Sequence, residues 1–253
     1  MKKILAFCLS LIMVLSFTGC NKRGTDLEEV VKNGKLVVGV CDNQPMTYKE
    51  NGQWTGFDIE LAKLFAKKLG VKAEFVEVKA AEKYQNLIDY NIDCIWSGLT
   101  LGLYGQEDLS MSDPYVDNSQ VIVMKKNVIG NYQNGYEVRQ LKFSAQTDSS
   151  GYYAIDREKY KKLILVETKA QALELVENGT VDATIVDGNV ADALIGESKK
   201  FPSLAKGFSY SVESYGVAFR NSSDLTKLFN EFLKDEKDNA LWKLAEKYDL
   251  TLS

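Results

Sequence analysis

The sequence predicts a two-lobed α/β protein, each lobe a mixed, mostly parallel sheet with flanking helices, joined by a two-stranded hinge. Three observations predict it. A strand, a hairpin, a helix and a second strand follow one another over 35–78. A helix that runs through a polar turn into an (Ile/Val)-Asp-x-x strand occurs twice, near 82–98 and near 169–187. Two long extended segments separate the halves.

The first twenty residues stand apart from this fold. Lys2 and Lys3 make a positive start, Ile4 to Phe17 is an apolar run too short to span a bilayer comfortably, and Thr18-Gly19-Cys20 is a small-residue cleavage site. The stretch resembles a lipoprotein signal peptide: 1–19 is removed and Cys20 carries lipid on its sulfur, with Phe17 where leucine is usual. A tether over 20–34 is expected next, and the protein is expected outside the cytoplasm, anchored to the cell membrane by that lipid.

Lys35 to Val40 is an apolar run of strand length. Tyr48 to Trp54 carries Asn51-Gly52, a strong hairpin signal. From Phe57 to Leu69, Phe57, Leu61, Leu64, Phe65 and Leu69 form one helical stripe that stops at Gly70, and Ala73 to Val78 is the next strand. A helix over 82–90 leads into the strand Ile92 to Gly98; its counterpart over 169–177 leads into Val181 to Asp187. Tyr115 to Met124 and Phe208 to Phe219 are the two extended crossings. Asp224 to Tyr248 reads as two amphipathic helices broken near Asp235 to Asp238, returning to the first lobe. The lobes are expected at 35–118 with 212–253, and at 119–211. Ligands of open α/β sheets sit beyond the carboxyl ends of strands, so Trp96-Ser97-Gly98 and Asp187-Gly188-Asn189 are expected to face one site.

Composition narrows the chemistry. The 253 residues are 45% apolar and 26% charged, with 31 Lys and Arg against 35 Asp and Glu. Loss of Lys2 and Lys3 makes the balance more acidic still, which argues against nucleic acid as a partner. There is no histidine, so histidine-based triads, general bases and metal ligands are excluded. No metal or cofactor is expected. Ser203-Leu-Ala-Lys206 has the Ser-x-x-Lys spacing of an acyl enzyme but lacks its Ser-Asp-Asn and Lys-Thr-Gly partners. Beyond Cys8 and Cys20, Cys41 and Cys94 remain, as a disulfide or as two free thiols.

Six segments in order carry a family resemblance. They are Lys35-Leu-Val-Val-Gly39, Thr55-Gly-Phe-Asp-Ile-Glu-Leu-Ala62, Asp93 with Ser97-Gly-Leu-Thr100, Ser112-Asp-Pro-Tyr115, Val181-Asp-Ala183 and Tyr215-Gly-Val-Ala-Phe-Arg220. Together they resemble the extracytoplasmic solute-binding proteins, family 3, of polar amino-acid ABC importers, over nearly the whole mature chain. The resemblance implies the type II periplasmic-binding-protein fold and a monomeric, non-enzymatic receptor. Such a receptor closes its lobes on an amino acid or amine-like solute and delivers it to a permease with its ATPase.

It also implies a site. Thr100, Ser149 and Ser150, with the helix N-terminus behind them and Gln146 before it, match the carboxylate-binding positions, and Asp187 matches the ammonium-binding aspartate. Trp96, Ser97 and Gly98 line the first lobe's side, and Met46 and Tyr104 wall the side-chain pocket. Two positions depart from the pattern: Gly105 stands where the family has its carboxylate-clamping arginine, and Ala80 where it has an aromatic platform. The departures point to a roomier pocket for a larger or cationic ligand, held by Asp187 and nearby aromatics. Alternatives are a small dehydratase-like lyase on the same scaffold, with Glu213 as its candidate acid, or an engineered sensor derived from such a receptor.

Overall fold

In a computed structural model, residues 24–253 are described apart from 104, 158, 159 and 161. Residues 1–23, with the signal segment and Cys20, lie outside the described residues. The chain enters through a helix, which corrects the expected tether. Asp26–Asn33 (α1) opens with a capping box: the Thr25 hydroxyl accepts the Glu28 amide and the Glu28 carboxylate accepts the Thr25 amide. Val30 is buried, and Asp224 accepts the Leu27 amide at 3.0 Å, so α1 packs on the first lobe.

Lys35–Val40 (β1) leads to the hairpin Tyr48–Glu50 (β2) and Gln53–Thr55 (β3), turned by Asn51 and Gly52, both at positive φ. Phe57–Lys68 (α2) ends where the stripe predicts, and Lys72–Glu77 (β4) returns beside β1 in parallel. A short turn of 3-10 helix, Ala80–Glu82, precedes Lys83–Ile88 (α3). Cys94–Thr100 (β5) then pairs with the other edge of β1, and Leu109–Met111 (β6) follows.

The second lobe begins along Val116–Lys125 (β7) and continues through Lys126–Ile129 (α4), Lys142–Gln146 (β8), Ser150–Arg157 (α5), Lys162–Val166 (β9), Lys169–Glu177 (α6), Ala183–Asp187 (β10) and Gly188–Leu194 (α7). The chain goes back along Leu204–Arg220 (β11), antiparallel to β7 from Leu204 opposite Lys125 to Tyr215 opposite Val116. These two strands cross between the lobes inside one continuous sheet, ordered β4-β1-β5-β11-β7-β10-β8-β9, with β6 on β11. Asp224–Glu236 (α8) and Trp242–Tyr248 (α9) complete the first lobe. The break expected near Asp235 to Asp238 is instead a wide π-helical turn, Lys237–Leu241, that keeps the two helices continuous.

The recurring aspartates perform one task in both lobes. Asp93 accepts the Val37 amide at 2.8 Å while its own amide donates to the Val37 carbonyl at 2.7 Å; Asp182 accepts the Lys142 amide and donates to the Lys142 carbonyl, both at 2.8 Å. Each pair ties the entry of β5 or β10 to the start of its neighbouring strand. Cys41 and Cys94 are free thiols. Cys94 is opposite Val38 and buried, whereas the Cys41 sulfur donates to the Val78 carbonyl at 3.2 Å.

Candidate functional site

The carboxyl ends of β1 and β5 on one lobe, and of β8 with the start of α5 and α6 on the other, converge on a cavity of about 50 Å³. It opens toward a groove of about 600 Å³ that shares Cys41, Asp42, Ala80 and Gln146 with it. Ser97, Gly98 and Thr100 line the first lobe's wall, and Gln146, Ser149 and Ser150 the second's, so these six expected positions are brought together. Gly98 has φ +57°, and a Cβ there would meet the Asn43 amide group at 2.4 Å. Only glycine allows the strand to bend this tightly past Asn43. Gly151 has a second close approach, its missing Cβ lying 2.0 Å from the Ile185 carbonyl oxygen, which seats α5 directly on β10.

Other expected positions fall elsewhere. Trp96 lies on the opposite face of β5 from Ser97, fully buried edge-on against Phe65 and Phe229 at 6.3 and 4.7 Å, because side chains alternate along a strand. Met46 is buried in the same core beside Gly98. Gly105 is in an exposed turn at φ +88°, its amide donating to Glu107 at 2.9 Å, and does not border the cavity. Ala80 does border it. Tyr104 lies outside the described residues.

Asp187 is placed beneath the cavity, not on its wall. Only 1% exposed, it makes no side-chain cap for α7; its Oδ1 accepts Asn118 Nδ2 at 2.7 Å and Gln120 Nε2 at 2.8 Å. Its Oδ2 accepts the ammonium of Lys169, at the start of α6. The same ammonium donates to Asn43 Oδ1 at 2.9 Å, joining the two lobes. In this structure the Asp187 carboxylate, expected as a cation-binding group, is engaged by Lys169 within the chain.

Glu213 extends the network. Its Oε2 accepts Thr100 Oγ1 at 2.9 Å, Gln120 Nε2 at 3.1 Å and Asn118 Nδ2 at 3.3 Å, and its Oε1 accepts Ser211 Oγ at 3.0 Å. Burial, then the nearby Asp187 charge, push the Glu213 carboxyl above its ordinary range. Ser150 Oγ donates to Thr100 Oγ1 at 2.8 Å, a second bond across the cleft. The chain of hydrogen bonds thus runs from α5 through β5, the two crossing strands and β10 to α6 and back to Asn43.

Sequence reasoning missed Lys83, the third polar tie. It lies on the cavity wall from the first turn of α3, 7% exposed, and its ammonium donates to the Asp148 carbonyl at 3.2 Å. Burial pushes its pKa down. The side chains of Lys83, Lys169 and Asn43 carried no motif; the only signal was their position, within a few residues of the strand ends at 40, 77 and 166.

The profile of the bacterial extracellular solute-binding proteins, family 3, matches residues 36–251. The chain belongs to this family. Among family 3 relatives, the arginine-binding extracellular protein ArtP of Bacillus subtilis (strain 168) is 28% identical over 259 residues, covering 98% of each chain. A mutant of ArgBP from T. maritima superposes with a TM-score of 0.82 at 28% identity, over 88% of this chain and 98% of that one. The ancestral amino acid-binding protein AncCDT-1, described as a precursor of cyclohexadienyl dehydratase, superposes with a TM-score of 0.81 at 31% identity, again over 88% and 98%. Family 3 membership and these neighbours establish the two-lobed fold. Among the described residues, no helix is long and apolar enough to cross a membrane.

Proposed function

We propose that the protein is the extracytoplasmic receptor of an ABC importer, capturing one amino-acid-sized polar solute between its lobes by hinge closure and handing it on unchanged. The observation that carries this reading is the interlobe cavity, walled from both sides by Ser97, Thr100, Lys83, Gln146, Ser149 and Ser150. Hydrogen bonds from Ser150 to Thr100 and from Lys169 to Asn43 join its two walls. Only β7 and β11 pass between the lobes within the sheet, a connection thin enough to bend, so solute contacts at the cavity set the balance between open and closed forms. Names of relatives that bind amino acids support a small polar solute of amino-acid size. The lobes are 35–118 with 212–253, the helix Asp26–Asn33 packing on this first lobe, and 119–211. Cys20 carries a lipid that keeps the receptor at the membrane beside its permease and ATPase.

Calorimetric titration of residues 24–253 with amino acids, their carboxylate-blocked forms, their amine-blocked forms and simple amines tests the reading. One solute bound per chain, recovered chemically intact, with a smaller radius of gyration in scattering, is the expected result. Conversion of the solute would instead favour the lyase. Intact-mass analysis of the membrane-expressed protein tests the anchor: the expected terminus is acylated Cys20, and a free terminus overturns it.

A further inference from the structure

Charge bookkeeping around the cavity separates its two lysines. Lys169 is satisfied: Asp187 and Asn43 take its protons, and Asp187, 1% exposed, has both oxygens in use. Lys83 is 7% exposed: its ammonium donates to the Asp148 carbonyl and lies 4.8 Å from the Tyr84 ring centroid, and among the described residues no carboxylate comes within ion-pair distance of it, the Asp148 charge acting from farther off. A buried ammonium without a counter-ion is costly, and an anionic group arriving in the cavity offsets that cost. Ser149 and Ser150 add the start of α5 on the facing wall, where first-turn amides and the helix dipole favour negative charge.

The cavity's carboxylates do not offer an equivalent place to a cation. Asp42, at the mouth, lies near Lys200, Lys49 and Lys169, and Glu77, the other acid beside it, already pairs with Lys49. Asp148 has its carbonyl on Lys83 and its Oδ1 within 3.5 Å of the Tyr153 hydroxyl. A solute ammonium seeking Asp187 must first displace Lys169, which leaves two ammonium groups competing for one carboxylate.

We infer that the solute is an amino-acid-sized carboxylate without a free ammonium group: Lys83 pairs with its carboxylate, and Lys169 permanently fills the cation seat at Asp187. The inference rests on the receptor reading above and narrows it to 2-oxo, 2-hydroxy or N-acylated acids.

The test is a calorimetric comparison on residues 24–253. Leucine, glutamine and glutamate are each titrated beside their N-acetyl derivative and their 2-oxo acid counterpart. At least one ammonium-free compound is expected to bind tenfold or more tightly than its parent amino acid, and Lys83→Gln to weaken it at least tenfold. Lys169→Met vacates Asp187 and is expected to reverse the preference, the parent amino acid gaining tenfold or more. Thermal melts of both variants confirm that they fold. Tighter binding of the free amino acids by the unmodified protein overturns the inference and leaves the receptor reading standing; an unchanged preference in a folded Lys169→Met overturns it as well. Absence of binding by every compound in both titration panels overturns the receptor reading and this inference together.

Discussion

In the first lobe Asp93 holds the Val37 amide at 2.8 Å and is itself held by Arg220, whose guanidinium reaches Asp93 at 3.1 Å, Asp26 at 2.9 Å and the Ile92 carbonyl at 2.6 Å. In the second lobe Asp182 holds the Lys142 amide at the same 2.8 Å and is exposed to solvent. The cores differ in the same direction. Around Phe65, Trp96, Phe229 and Phe232 the first lobe packs aromatic rings edge-on or tilted at centroid distances of 4.7 to 6.3 Å, with a buried Asp58 at their edge. The core beneath α6 and α7 is mostly small aliphatics such as Val176, Val186 and Ala191. One joint, repeated, is locked into a dense core on one side and left at the surface on the other. The contrast is with this one core: the second lobe's other core, around Phe143 and Tyr160 with ring centroids 4.7 Å apart, is aromatic as well.

The sharpest break of this contrast is in the cores. Phe229→Ala is expected to cost about 4 kcal/mol and Leu173→Ala about 3 kcal/mol in denaturant unfolding, the larger void forming where rings interlock. Next come the paired aspartates. Asp93→Ala removes one anion from a buried guanidinium and is expected to cost about 3 kcal/mol, against about 1 kcal/mol for Asp182→Ala, which loses one exposed amide bond. Equal losses would dissolve the distinction between the lobes.

Asp58 sharpens it through pH. Its carboxylate accepts the Gly98 amide at 2.6 Å and the Tyr115 hydroxyl at 2.8 Å, yet burial pushes its pKa from 3.8 up to about 7. The folded chain therefore keeps a proton that the unfolded chain has lost between these values. The contribution of Asp58 to stability is fully present below the lower one and is lost as pH rises toward the upper, with a slope approaching ~1.4 kcal/mol per pH unit. Asp58→Asn is expected to flatten that part of the stability curve, measured by urea unfolding from pH 4 to 8. The smallest effect is at the cleft. Ser150→Ala removes a single interlobe hydrogen bond and is expected to leave the melting temperature nearly unchanged while weakening solute binding about fivefold, roughly 1 kcal/mol, by calorimetry.

β1, β4, β5, β7, β10, β11, the hairpin and both halves of the repeat were legible because hydrophobic period and turn chemistry are local; β6, β8 and β9 were not read from the sequence. The helix Asp26–Asn33 was equally local, since Thr25-Asp-Leu-Glu28 spells a capping box, but its polar composition masked it as a tether. Trp96 was misplaced because a strand end beside small residues suggests a cleft, whereas the pleat turns alternate side chains away from it. Lys83 and Lys169 lie on helices, where a lysine by itself signals a solvated surface. Their burial follows from the approach of the other lobe, a contact between residues far apart in sequence. The Asn118 and Gln120 amides that hold Asp187 and Glu213 sit on alternate positions of a strand with no motif to mark them.

The long strand Leu204–Arg220 also fixes an order of completion. The two cores of the second lobe draw their buried residues from one uninterrupted stretch, Val121 to Leu204. The first lobe's core needs Val30 to Val116 and then Tyr215 to Ala245. As the chain emerges amino end first, α2 and β5 wait with their apolar faces uncovered until α8 arrives, while the domain begun later already has every residue it requires. The faces of Phe65 and Trp96 are the last to be covered, and the half that is started first is finished last.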